Sequence, residues 1–407
     1  MKRPYPWQFR SRFRTNAYSW RGTSLASKRL KEAVAEIKKA SKSDPVAAGD
    51  GCIALMERLW PALQSIDSSS GALGNAVNRT LDALLPILIA APCDRELRVK
   101  WLERLYEAVC DDGVQYLTPA EEHWGEMCVF PELANEWADR ILPLLREVWA
   151  ARRPGAHVRG DTLCLSCLLE TRRYKELEEV LSLRGMSFWP DDQFMAEAMA
   201  RDGRIDEAIA YAESHHDEHY ERPGIIAFCE RILLEAGRTE EAYRRFGLFA
   251  ANATTNLSVF RKTAAQYPEK DRRQVLLDLI EARGNKGKWF AAAKDAGFLD
   301  IALECAQTGD TEPKTLIRAA RDFEETDPEF VVDVALCAIQ ILLRGGGYEP
   351  STSDIQEAYN YLTAAATRLG CAEWARTALQ QMLAAPEEHL DEHMKKAIEI
   401  RLRRDLI

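Results

Sequence analysis

Long apolar runs are missing from this 407-residue chain: the longest uncharged one, Ala83–Cys93, has 11 residues and contains Pro86. A membrane-spanning helix needs about 20, so no membrane-embedded protein is expected. Residues 1–20 hold no unbroken apolar core of seven or more, which argues against a secretory leader and for a cytoplasmic location. The Arg-rich, acid-poor start has the charge of a transit peptide, but Pro4, Pro6, Trp7 and Trp20 suit an amphipathic presequence badly. Strand-like alternation is hardly seen after residue 24. Also lacking are a Gly-x-Ser-x-Gly elbow, an EF-hand loop, a dinucleotide fingerprint and a P-loop. No catalytic residue, cofactor or metal is therefore expected.

The ten cysteines sit mostly inside apolar helical patterns, as Cys229 does between Phe228 and Ile232, so they read as reduced, buried thiols. Cys164-x-x-Cys167 is a lone pair. A structural zinc site needs four ligands, and His157 would supply only a third. What is present is ordinary for a globular chain: 46% hydrophobic and 29% charged residues. The length fits two or three domains, or one extended repeat array. The net charge of −10 hides an asymmetry, because residues 1–42 carry twelve basic and two acidic side chains, a net +10. A basic head on an acidic body either meets a polyanion or lies against its own body.

Most segments after residue 24 read as amphipathic helix. Leu30, Val34 and Ile37 step by four and three, and Asp44-Pro45 opens the next segment as a cap residue and a helix-start proline. Leu97, Trp101, Leu105 and Val109 form an i, i+4 stripe running from Asp94 to Gly113. Thr118-Pro119-Ala120-Glu121 has the form of a capping box. Pro86 and Pro143 fall inside long apolar segments, where a kink or a break is expected.

Beyond the Arg152-Arg153-Pro154-Gly155 boundary, running on to Gly160, the sequence begins to repeat. Gly203-Arg204-Ile205-Asp206-Glu207-Ala208 recurs 34 residues later as Gly237-Arg238-Thr239-Glu240-Glu241-Ala242. Weaker copies begin at Arg172 and Gly297, and a faint one at Gly370. Glycine ends one helix in the left-handed conformation, acids favour the start of the next, and alanine at the sixth place lets the two approach. This unit resembles the tetratricopeptide repeat over roughly residues 160–310, although the spacing between the sixth-place alanines slips to 60 from Ala242 to Ala302. The first half is similar to HEAT-type pairs, and the whole chain to bacterial proteins without an assigned activity. The resemblance implies an all-α fold, a right-handed α-α superhelix (solenoid) of helix pairs, HEAT-like first and TPR-like second. The expected regions are a basic aromatic arm (1–23), HEAT-like helices (24–153), TPR-like repeats (154–344) and a helical cap (345–407).

The arm is the strongest functional signal. Arg3, Trp7, Arg10, Arg12, Arg14, Trp20 and Arg21 interleave cations with rings, together with Tyr5, Phe9, Phe13 and Tyr18, a combination suited to phosphates and unpaired bases. The same aromatics could instead dock into the first helical pair while the arginines pair with the body. His215/His219 and His389/His393 each place two imidazoles four residues apart, without the His-Glu-x-x-His pattern. Lys286-Gly287-Lys288 before Trp289 suits an anion at a helix start. Asp111, Asp112, Glu121, Glu122, His123 and Glu126 cluster around Tyr116 and Trp124, as general acid–base chemistry would want if a pocket formed.

The expectation is a non-catalytic adaptor that binds a protein partner on its concave face, as an accessory subunit of a bacterial complex. Repeat geometry puts Gln193, Glu197, Arg201, Glu230 and Glu235 on that face. Nucleic acid is the second expected partner, through residues 1–42. The alternative is an enzyme, or an enzyme subunit, with its pocket near His123.

Overall fold

The computed structural model describes residues 5–152, 157–185, 188–215, 222–384 and 390–404. All regular structure among them is helical, no described residue lies in a strand, and the helices pack in adjacent pairs. Contacts group the chain into two compact units, residues 1–221 and 222–407.

In the first unit a 3-10 turn (Gln8–Ser11) precedes α1 (Thr23–Ser41), α2 (Pro45–Met56), α3 (Leu59–Leu63) and α4 (Ala72–Ala90). Next come α5 (Arg95–Asp111), the short α6 (Thr118–Glu122) and α7 (Trp124–Cys128), and α8 (Pro131–Ala150). Two pairs complete it: α9 (Asp161–Glu170) with α10 (Tyr174–Leu183), and α11 (Trp189–Arg201) with α12 (Ile205–Ser214). The helix starts follow local chemistry. The Asp44 carboxylate accepts the Ala47 N–H at 3.0 Å with Pro45 in the first turn, and Asp94 accepts the Leu97 N–H at 2.8 Å. Trp101, Leu105 and Val109 of the expected stripe are buried. So is Arg98, whose guanidinium donates to Leu88 O and Ala91 O at 2.8 Å each and closes the end of α4.

Local expectation fails at the Thr118 box. Thr118 caps nothing: its hydroxyl donates to Gln115 O, the helix begins at Thr118 itself, and Glu121 turns inward. The N–H of Leu117 is taken instead by the buried Asp112 carboxylate at 2.9 Å. Of the kink or break expected at Pro86 and Pro143, the break does not occur, because α4 and α8 run through them. The 152–160 stretch does not part the packing either, since α8 and α9 lie directly against each other.

The second unit opens with α13 (Arg222–Glu235). Then α14 (Thr239–Ala242) passes through π-helical Tyr243–Gly247 into α15 (Leu248–Ala250), followed by α16 (Asn256–Gln266) and α17 (Arg272–Arg283). It continues with α18 (Phe290–Asp295), α19 (Leu299–Ala306), α20 (Pro313–Phe323) and α21 (Pro328–Leu343), ending in α22 (Thr352–Arg368), α23 (Ala372–Ala384) and α24 (Glu392–Arg404). The insertion of α16 and α17 accounts for the wide spacing between Ala242 and Ala302.

The five sequence copies share one turn, which among the described residues also occurs outside them at Gly345, where the Gly346 N–H reaches Ile341 O. Gly203, Gly237, Gly297 and Gly370 have φ of 78°, 73°, 81° and 71°, and Arg172 takes the same place at 57°. Each time the next N–H reaches back five residues: Arg173 to Leu168 O, Arg204 to Met199 O, Arg238 to Leu233 O, Phe298 to Ala293 O, and Cys371 to Ala366 O. This bond is the 6→1 closure that satisfies a helix's last carbonyls. The arginine after the turn then pairs three residues on, Arg173 with Glu176, Arg204 with Glu207 and Arg238 with Glu241. Ala208, Ala242 and Ala302 are fully buried where the helices meet.

Candidate functional site

The arm folds onto α1 and α2. Trp7, Phe9, Phe13 and Tyr18 are buried, so those rings are closed to a stacking base. Gly51 makes room for Trp7, since a Cβ there would run into the indole. The Glu36 carboxylate accepts the N–H groups of Gln8 and Phe9 at 2.8 and 3.3 Å, capping the 3-10 turn. Arg12 pairs with Glu32 at 2.5 Å. Arg10 begins an ion-pair chain that runs through Asp50, Arg104 and Glu57 to Arg58. The backbone is tied as well: Asn16 N–H donates to Pro61 O at 2.8 Å and Asp67 N–H to Trp20 O at 3.0 Å. Arg14, Trp20 and Arg21 remain exposed, and Arg3 lies outside the described residues.

A second surface forms where α4, α6, α7, α9 and α11 adjoin. Arg201 donates to Glu170 at 2.9 Å across the α9–α11 contact and lies 3.5 Å from Glu197 on its own helix. The Gln193 amide, one turn earlier, is turned back to Pro190 O at 2.8 Å. Gly125 is the hinge of closest approach between α7 and α9: a Cβ there would lie 2.5 Å from Ser166 O and 2.6 Å from the Glu170 Cβ. The Ser166 hydroxyl accepts the Gly125 N–H at 3.0 Å and donates to Glu122 O at 2.8 Å. His123 Nδ1 lies 3.3 Å from Glu126 Oε1. That hydrogen bond raises the imidazole above its ordinary value and lowers the Glu126 carboxyl, helped by the charge of Arg201. Burial raises Glu122, and Asp82 on α4 adds negative charge to it and to His123. Val129, exposed at the end of α7, holds φ of 64° in a three-residue turn closed by Phe130 N–H to Cys128 O at 2.7 Å. A β-branched residue in that region is strained.

The acid/His cluster expected near His123 therefore divides. Asp112 and Glu121 belong with Asp161, His157 and Arg159. Glu121 is buried there, and burial together with the Asp161 charge pushes its carboxyl up to about 7. His157 lies 3.0 Å from Asp161 Oδ2. Cys164 and Cys167 are core thiols, and burial pushes Cys164 up to about 12. No group of three metal-ligating side chains occurs among the described residues. His216, His219 and His389 lie outside those residues, while His215 Nε2 sits 3.6 Å from Asp192. Lys286 is paired with Glu304 at 2.8 Å, and Gly287 is packed against Asp310 and Thr308.

In the second unit, Glu230 accepts the Tyr267 hydroxyl at 2.7 Å, and burial raises its carboxyl. Tyr267 meets Tyr243 edge-on at 5.0 Å, and Tyr243 donates to Asp278 at 2.6 Å. Glu235 pairs with Arg231 at 3.0 Å. Sequence reasoning missed Asp82, Gly125, Ser166 and Glu170. The only hint was a serine set between the two cysteines of an otherwise apolar helix. Compared with known proteins, the chain matches no family model and no curated protein.

Proposed function

We propose that the chain is a non-catalytic adaptor. Its helix pairs continue as a right-handed superhelix, HEAT-like first and TPR-like second, that holds a partner's extended basic segment. The recurrence of one turn with one hydrogen-bond pattern supports stacked repeats, because identical joints impose similar rotations on successive pairs. The observation carrying the partner's chemistry is the Glu170–Arg201–Glu197 bridge beside Glu126. Asp82, Glu122, Glu126, Glu170 and Glu197 set five carboxylates on adjoining helices against the guanidinium of Arg201 and the imidazole of His123. Lysines and arginines of an incoming segment would complement such a face and be selected against acidic competitors. Catalysis around His123 has less support, since Asp112 and Glu121 lie with Asp161 in a separate group.

Affinity capture from the native host tests this reading. The E126K/E170K variant reverses charge at two exposed positions, and circular dichroism and Tm are used to establish that it folds as the parent does. The reading predicts that it loses the protein retained by the parent, and retention of the same protein by both would refute it.

A further inference from the structure

Docking of the arm changes the charge of α1. That helix has two carboxylates, and the arm occupies both: Glu32 holds Arg12 and Arg29, and Glu36 holds the N–H groups of Gln8 and Phe9. Lys28, Lys31, Lys38, Lys39 and Lys42 are exposed, and none forms an ion pair with a described residue. At 100° per residue these five lie within an arc of about 100°, opposite the buried stripe of Ala26, Leu30, Ala33, Ile37 and Ala40. At 1.5 Å per residue the row from Lys28 to Lys42 is about 21 Å long. Just before and at the start of the helix, Arg21, Trp20 (66%) and Leu25 (51%) are exposed as well.

We propose that this lysine row is a docking surface for the phosphate backbone of duplex nucleic acid. The proposal goes beyond the adaptor reading and stands on a different helix, α1. A duplex carries one charge per about 1.7 Å of axis with both strands counted, so a stretch as long as the row carries about a dozen phosphates, and the side turned to the row meets a part of them. Lysines without rings or planar guanidinium forks contact a backbone as point charges and read no base. Single strands are disfavoured because four of the six arm rings between Tyr5 and Trp20 are buried, leaving Tyr5 and Trp20 to stack. An anionic membrane is disfavoured because the apolar side of α1 is already in the core, leaving Trp20 and Leu25 as the exposed apolar groups near its start.

Fluorescence anisotropy with the full chain tests it across a NaCl series. The probes are a short labelled DNA duplex, the corresponding single strand, and phosphatidylserine-containing vesicles. The expected result is duplex binding that weakens with salt at a log–log slope of about −4.5, for about five neutralised phosphates. The K31Q/K38Q/K42Q variant, with circular dichroism and Tm of the parent, should bind at least tenfold more weakly and lose about 3 from that slope. E126K/E170K, altered on the acidic face, should bind duplex at least as well as the parent, so failure of the adaptor reading is told apart from failure here. No duplex binding at low salt, equal binding by K31Q/K38Q/K42Q, tighter binding of the single strand, or vesicle binding without duplex binding would each overturn the proposal.

Discussion

Arg172 shows at the scale of one residue how a degenerate repeat copy still folds. It occupies the left-handed position that glycine fills in the other four copies, with the same hydrogen bond following it. A non-glycine residue there costs of order 1 kcal/mol. Arg172→Gly should therefore stabilise the chain by about 0.5–1 kcal/mol in urea denaturation, and no gain would mean that Arg172 makes a compensating contact. Glu121 is the other residue that stands out. Its carboxyl titrates at about 7 in the fold against 4.5 ordinarily, so the folded state holds the proton more tightly. Stability from this group is present below the lower value and is lost as pH rises through the higher one. Glu121→Gln should match the parent near the lower pH and exceed it above the upper one by about 3 kcal/mol, from 1.36 kcal/mol per unit. Chemical denaturation at the two pH values checks this, and a constant difference would contradict it.

At the scale of elements, the arm and α1 form one structure. Trp7 seats over Gly51, Glu36 caps the 3-10 turn, and the ion pairs of Arg10 and Arg12 fasten the rest. Any side chain at position 51 must displace the indole. Gly51→Leu should release the arm and open it to trypsin at Arg10, Arg12 and Arg14, while α5 onward stays resistant. Unchanged digestion would show that the arm docks without Trp7. The sequence made the helix starts at Asp44 and Asp94 and the glycine turns legible, because each is encoded within six residues. It left the arm's placement open, because a basic aromatic segment has the same composition docked or free. The Thr118 box was misread for a related reason: the group that took the Leu117 N–H was Asp112, a partner outside the four-residue pattern.

At the scale of the molecule, charge is sorted by face within the first unit. Lysines line α1, and carboxylates line the join of α4, α6, α7, α9 and α11. The second sorting was hidden in the sequence, since Glu126, Glu170 and Arg201 are 44 and 31 residues apart and meet only through packing. Hydrogen exchange of the full chain with and without a lysine- and arginine-rich peptide tests the account most directly. It predicts slowed exchange concentrated in α7, α9 and α11, abolished by E126K/E170K. Peptide binding that leaves those helices unchanged, or no binding at low salt, would contradict it.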